Sequence, residues 1–385
     1  MDNSGNALSQ KKTFGMSLLY TLPMFLVTFM FITGGKPDFS NPTQTMAILI
    51  TFFGMNLLYF LMHYTGKTDR YRAIIFVIFA LSLSFTLIKN MIAIRNSMSF
   101  SQADVLECRI PFCHLVIPMM ILPAALTKSI IFPGTILGGF ANIASMMVLW
   151  LAATVVLGRG FCSWGCFYGG WDDGFSRFRK KPLLRKISDS WKWMPFAVLF
   201  LVALTAALTL IPTYCDWMCP FKAVTEFEKV TNVESAAKAG VFISLFGGLV
   251  VALPVLTRRR TQCSFLCPMG AINSLSNKFT PFTIKIDKEA CSKCFKCVDA
   301  CPMFALTREG IKEGTVSMFC SKCGKCTDTC TKNAIHFGIK GVPAGTMKKF
   351  SRNLFLFVSF LFMAVFSSGT IIFSLNSLLG LIFKK

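Results

Sequence analysis

Residues 291–302 read CSKCFKCVDACP and residues 320–331 read CSKCGKCTDTCT. Each holds a C-x2-C-x2-C-x3-C run, and the second repeats the first cysteine for cysteine (291 and 320, 294 and 323, 297 and 326, 301 and 330). Three thiolates at such short gaps wrap the corners of a four-iron, four-sulfide cubane, while the fourth, three residues further on, points away to a neighbouring cubane. The ligand sets are therefore crossed: Cys291, Cys294, Cys297 and Cys330 for cluster I, and Cys320, Cys323, Cys326 and Cys301 for cluster II. A pair of zinc ribbons also uses C-x2-C motifs, but eight cysteines in this doubled order suit zinc poorly.

This is the spacing of two-cluster bacterial ferredoxins, which are small α+β domains, yet the chain around it is neither small nor soluble in composition. Of its 385 residues, 54% are apolar and only 15% charged, with 40 Phe and 20 Met, against a typical quarter charged. These values exclude disorder, collagen and a secreted disulfide scaffold. The formal charge of +22 raises nucleic acid as a partner. The basic residues flank apolar runs, as they do at membranes, so the lipid bilayer is expected and nucleic acid is not. The fold class that follows is a polytopic α-helical membrane protein of about seven transmembrane helices with an inserted two-cluster ferredoxin domain.

Apolar runs long enough for roughly 30 Å of hydrocarbon fall at about 14–33, 45–64, 72–94, 136–157, 194–212, 238–256 and 353–383. The last is long enough for one tilted helix or a hairpin, and Ser367-Ser368-Gly369 interrupts it; one helix is the expectation. The stretch 115–133 carries Pro118, Pro123, Pro133 and Lys128 and reads as re-entrant or surface-lying. Eight basic residues crowd the 158–193 loop. By the positive-inside rule that loop, the N-terminus and the ferredoxin domain are cytoplasmic, which places the chain in the inner membrane of a prokaryote. In chain order this gives a membrane bundle over 1–257, a cytoplasmic two-cluster domain over 258–350 and a C-terminal transmembrane segment over 351–385.

A second repeat lies outside the ferredoxin run. Arg159-x2-Cys162-x3-Cys166-x2-Gly169 and Arg260-x2-Cys263-x3-Cys267-x2-Gly270 each follow a span that ends on the cytoplasmic side. Two cysteines cannot fill a cubane's four-thiolate shell, but two pairs can, so Cys162, Cys166, Cys263 and Cys267 are assigned to an inner-face cluster, with the arginines offsetting its negative charge. Four buried free thiols are the alternative. Asp172 and Asp173, just after the first pair, are read as solvated loop charges.

With the frame RTQCSFLCPMGA at Arg260–Ala271 and its second copy around Cys162, the chain resembles the membrane polyferredoxins. That group includes the quinol-dehydrogenase subunit of periplasmic nitrate reduction and the membrane regulator of nitrous oxide reduction. The Cys162 copy departs from the frame, with Phe167 for the proline and Gly170 for the alanine. The resemblance implies electron transfer between iron–sulfur clusters and the quinone pool or a redox partner protein, on one or both sides of the membrane.

Cys108, Cys113, Cys215 and Cys219 remain, in loops expected outside. Cys215-x3-Cys219-Pro220 repeats the inner spacing, and sixteen cysteines make four sets of four, so an outer-face cluster is the first reading. Disulfides, free thiols and a c-type haem at Cys108-x4-Cys113-His114 are the rivals; a haem leaves Cys215 and Cys219 without a role. Four [4Fe-4S] clusters are thus expected, with a quinone as an additional cofactor if the chain forms a quinol-oxidising subunit. No catalytic residue is identified, and whether the chain is itself an enzyme stays open. The functional expectation is electron conduction through the clusters, with a quinol dehydrogenase or a redox-sensing membrane regulator as alternatives.

Overall fold

The computed structural model describes residues 14–33, 41–95, 99–100, 113–128, 131, 143–184, 187–224, 227–228, 230–343 and 346–383. Among them, seven helices are long and apolar enough to cross a membrane: Phe14–Thr33, Pro42–Tyr64, Thr68–Lys89, Ile143–Trp164, Ser190–Thr209, Val233–Thr257 and Lys348–Phe383. These are the seven spans expected from hydropathy. The last is one continuous helix of 36 residues, so Ser367-Ser368-Gly369 does not break it. Of the 115–133 stretch, residues 115–127 form a short apolar helix, His114–Thr127, and residues 129, 130, 132 and 133 lie outside the described residues. At ~1.5 Å per residue such a helix is too short to cross.

The chain divides into two compact units. The first comprises residues 1–83, 163–170 and 280–385. In it Phe14–Thr33, Pro42–Tyr64 and Lys348–Phe383 pack on one another, and Asn56 Nδ2 donates to Thr28 Oγ1 at 2.9 Å between two spans. The ferredoxin segment folds on an antiparallel pair, Phe282–Ile286 with Ile335–Ile339, in the register Phe282–Ile339 to Ile286–Ile335. Alternate residues of the first strand are buried, which is the period-two pattern of a half-covered strand. The sheet docks on the start of the last helix: Phe355 stacks on Phe337 at 4.5 Å and receives the edge of Phe282 at 5.4 Å. The N-terminus of Thr68–Arg95 is capped from far along the chain, because the Asp328 carboxylate accepts from the Thr68 and Asp69 backbone N–H groups at 2.9 and 2.8 Å. A carboxylate there satisfies orphan donors and sits at the positive end of the helix dipole. Asp328→Ala is expected to cost about 0.5–2 kcal/mol, read as a lower thermal midpoint of the purified protein.

The first unit also explains the departure of the Cys162 frame from its twin. A Cβ on Gly170 would strike the Phe76 carbonyl and come within 2.7 Å of the Ala80 side chain. Alanine does not fit there, and Phe167 instead meets the Phe79 ring edge-on at 6.1 Å. Gly170→Ala forces the two segments apart, and an overpacking loss of about 1–3 kcal/mol is expected, again read from the thermal midpoint; an unchanged midpoint contradicts this packing.

The second unit comprises residues 84–162 and 171–279. Here Ile117–Thr127 packs along Met194–Thr209. The span Val233–Thr257 opens with a capping box between Asn232 and Ser235. Its middle is π-helical over Phe246–Ala252. Pro254 has no N–H to give to the preceding π turn, and the Thr261 hydroxyl donates to the Leu249 carbonyl at 2.5 Å.

Candidate metal centres

The two ferredoxin loops share one backbone. Lys293, Phe295 and Phe304 have positive φ in the first, and Lys322, Gly324 and Asn333 have it at the matching positions of the second. Left-handed residues among right-handed ones turn successive N–H groups to one side, a concavity that suits anionic iron–sulfur groups. Cys301, Cys320, Cys323 and Cys326 line a single pocket, the crossed set expected for cluster II. Cys297 feels Cys330 and Cys291 as charged neighbours, three members of the set expected for cluster I. The donors fit a cubane: four thiols face one pocket, and the Ala305 N–H points at Cys301 Sγ at 3.4 Å. No three Cys, His, Asp or Glu side chains among the described residues converge as ligands of a single ion. Burial pushes the Cys320 thiol up to about 12 and Cys323 to about 11, so these groups give up protons when a metal replaces the water they have lost.

The Arg159 and Arg260 frames are joined reciprocally within the second unit. Arg159 Nη2 donates to the Cys263 carbonyl at 3.0 Å, and Arg260 Nη2 donates to the Cys162 carbonyl at 3.1 Å. Both arginines are buried. The position six residues after the second cysteine is Asp172 in one copy and Asn273 in the other. The Asp172 carboxylate accepts from the Cys263 N–H at 2.9 Å, and Asn273 Nδ2 reaches Cys162 Sγ at 3.5 Å. Gly270 is required where it stands, since a Cβ there would meet the Cys263 carbonyl at 2.9 Å. Cys162, Cys263 and Cys267 are thus gathered around Arg159, while Cys166 belongs to the first unit.

Asp172 and Asp173 are a correction to the sequence reading: both are buried, at 0% and 1% exposure, not solvated. Asp173 pairs with Arg177 at 3.1 Å and with Arg260 at 3.6 Å. Burial raises the Asp172 carboxyl to about 7, against the opposing pull of Arg260 and the Cys263 N–H. Arg260 and Cys263 lie about ninety residues further along the chain, so no local pattern announces these two contacts.

Of the outer set, Cys108 lies outside the described residues; Cys113 and Cys215 are half-buried and Cys219 is buried. The neighbours of these cysteines touch the neighbours of the inner pairs inside the second unit. Tyr214, which precedes Cys215, accepts on its hydroxyl from Gln262 Nε2 at 2.9 Å, and Gln262 precedes Cys263. His114, which follows Cys113, meets Phe161 edge-on at 5.5 Å, and Phe161 precedes Cys162. Tyr214 and Phe161 are fully buried, and so, to 1–2% exposure, are Gln262 and His114. Burial holds the His114 imidazole neutral, down to about 3.

Comparison with known proteins bears on these sets. The 4Fe-4S dicluster domain model matches residues 283–331. The 4Fe-4S binding domain model matches three times, over 139–186, 192–229 and 239–287; the second match contains Cys215 and Cys219. The chain is 27% identical over 45% of its length to the methylamine utilization ferredoxin-type protein MauN of Methylobacillus flagellatus, covering 58% of that protein. It is 26% identical over 41% of its length to the ferredoxin-type protein NapH of Haemophilus influenzae, covering 52% of it. It is 24% identical over 41% of its length to the putative electron transport protein YccM of Escherichia coli, covering 45% of it. The matched stretch spans about half the length of each of these three relatives. No solved structure matches the chain. With seven apolar spans, matches to 4Fe-4S domains and ferredoxin-type relatives, the chain is similar to the membrane ferredoxin-type electron-transport proteins, NapH among them.

Proposed function

We propose that the chain carries electrons across the membrane through four [4Fe-4S] clusters, between a cytoplasmic redox partner and an outer-face partner or the quinone pool. The ligand sets are Cys291, Cys294, Cys297 and Cys330; Cys320, Cys323, Cys326 and Cys301; Cys162, Cys166, Cys263 and Cys267; and Cys108, Cys113, Cys215 and Cys219. The loops at 158–193 and 258–352 face the cytoplasm of a prokaryote in this reading, on their basic charge. When bound, each cubane takes up and releases one electron with its potential set by burial, charge and hydrogen bonds to sulfur.

The observation that carries the reading is the Tyr214–Gln262 hydrogen bond beside the His114–Phe161 contact. A hydrocarbon core of about 30 Å is a long gap for an electron. These two contacts support a shorter one, because each ties a residue adjoining an outer cysteine to a residue adjoining an inner cysteine. The segment carrying Cys166 is tied in turn to the second ferredoxin loop within the first unit: Trp164 Nε1 donates to the Lys322 carbonyl at 3.1 Å. Arg72 donates to the Ser163 and Cys323 carbonyls at 2.9 and 3.2 Å. Burial keeps water from these junctions, and the arginines lend positive charge to the thiolate-rich loops. Iron and acid-labile sulfide on anaerobically purified protein test the count. Four cubanes give about sixteen of each per chain, whereas about eight would leave only the ferredoxin pair.

A further inference from the structure

The two ferredoxin loops have the same sequence frame, C-S-K-C-x-K-C, and the same left-handed positions, yet opposite surroundings. In Cys320–Cys326, residues Ser321 to Gly324 are all buried. Lys322 is 3% exposed and its ammonium donates to Thr280 Oγ1 at 3.1 Å. Gly324 lies so close to Thr68 that a Cβ would come within 3.1 Å of its side chain. In Cys291–Cys297, Ser292, Lys293, Cys294 and Lys296 are all exposed. Where the covered loop needs glycine, the open loop holds Phe295 at φ 57°, a costly conformation for a bulky residue. The Arg308 guanidinium stands 5.1 Å over its ring. No acidic residue occurs between Glu289 and Asp299.

We infer that the Cys291–Cys297 loop, with Lys293, Lys296 and Arg308 around Phe295, is the face on which a one-electron carrier protein with an acidic surface docks. The inference rests on the electron-transfer reading above and fixes which end of the ferredoxin domain meets the partner. The covered loop cannot meet one, because Thr68, Trp164 and Arg72 already occupy its outside. The open loop presents a ligand cysteine at the surface with a cationic and aromatic rim, which suits an acidic protein face in both steering and contact. In the exchange the carrier is oxidised by one electron and the centre held by the open loop is reduced by one; no bond or proton moves.

The test uses the full chain in nanodiscs of zwitterionic lipid, with a dithionite-reduced acidic bacterial ferredoxin as the probe. Zero-length carbodiimide cross-linking is expected to join Lys293 or Lys296 to carboxylates of the probe, located by mass spectrometry. Lys293→Glu with Lys296→Glu is expected to abolish those cross-links and slow reduction about tenfold at low salt. The difference fades at high salt, rates being compared per iron-loaded chain. Arg308→Glu, outside the ligand loop in sequence, gives a smaller effect of the same sign. Lys180→Glu with Lys181→Glu, two exposed lysines elsewhere, leaves both readouts at wild-type values. Equal effects of the two lysine pairs, or none from either, overturn the docking face. So does a Lys293/Lys296 variant that loses only binding to phosphatidylserine vesicles. A wild-type chain without iron, or one that dithionite does not bleach, instead removes the electron-transfer reading itself.

Discussion

Cys263→Ala protein, purified without oxygen, is expected to retain about three quarters of the wild-type iron and sulfide, losing one resonance signal while the ferredoxin signals persist. Cys263 is gathered with Cys162 and Cys267 around Arg159, and its carbonyl and N–H are held by Arg159 and Asp172. Alanine keeps those two backbone bonds and deletes only the thiol, so the loop has no reason to unfold. A cubane left with three thiolates loses its fourth corner. Cys291→Ala is the matched comparison and is expected to remove a ferredoxin signal instead. An unchanged iron content in Cys263→Ala would mean that the repeated arginine frames hold free thiols.

The second large effect concerns the junction. Tyr214→Phe deletes the acceptor of Gln262 Nε2 without touching a cysteine, so full iron content is expected alongside slower electron passage between the outer and inner sets. It also strands a buried amide donor, which costs about 1–3 kcal/mol. Pairing it with Gln262→Met removes the stranded donor. The pair is expected to recover most of the stability and none of the electron passage, which separates a positioning role from a merely structural one. Recovery of both in the double variant would leave the junction no part in conduction.

Much of this was legible in the sequence because its signals are local. Seven apolar runs and two cysteine quartets need no partner to be read, and the crossed ligand set is proposed from the reach of a cysteine three residues beyond a C-x2-C-x2-C loop. The long-range pairings were not legible. Asp172 and Asp173 stand in the short helix Phe167–Phe175 among glycine and aromatic residues, and their contacts with Arg260 and the Cys263 N–H come from far along the chain. The two C-S-K-C-x-K-C loops are indistinguishable by motif, and one residue offered a hint: Gly324 where the open loop has Phe295. A glycine at a left-handed position pressed against Thr68 marks the covered copy. Gly170 in place of alanine was the matching hint for the packing on Phe76. Tyr214 and Gln262 carried no signal except their places beside cysteines.

Electron transfer across sealed liposomes tests conduction from one face of the membrane to the other most directly. With a membrane-impermeant reductant outside and an oxidised acceptor enclosed within, the wild-type chain is expected to reduce the acceptor, and Cys215→Ala protein of otherwise normal ferredoxin signals is expected to fail. Transfer at the wild-type rate in Cys215→Ala liposomes would contradict the account and leave a carrier confined to one side of the membrane.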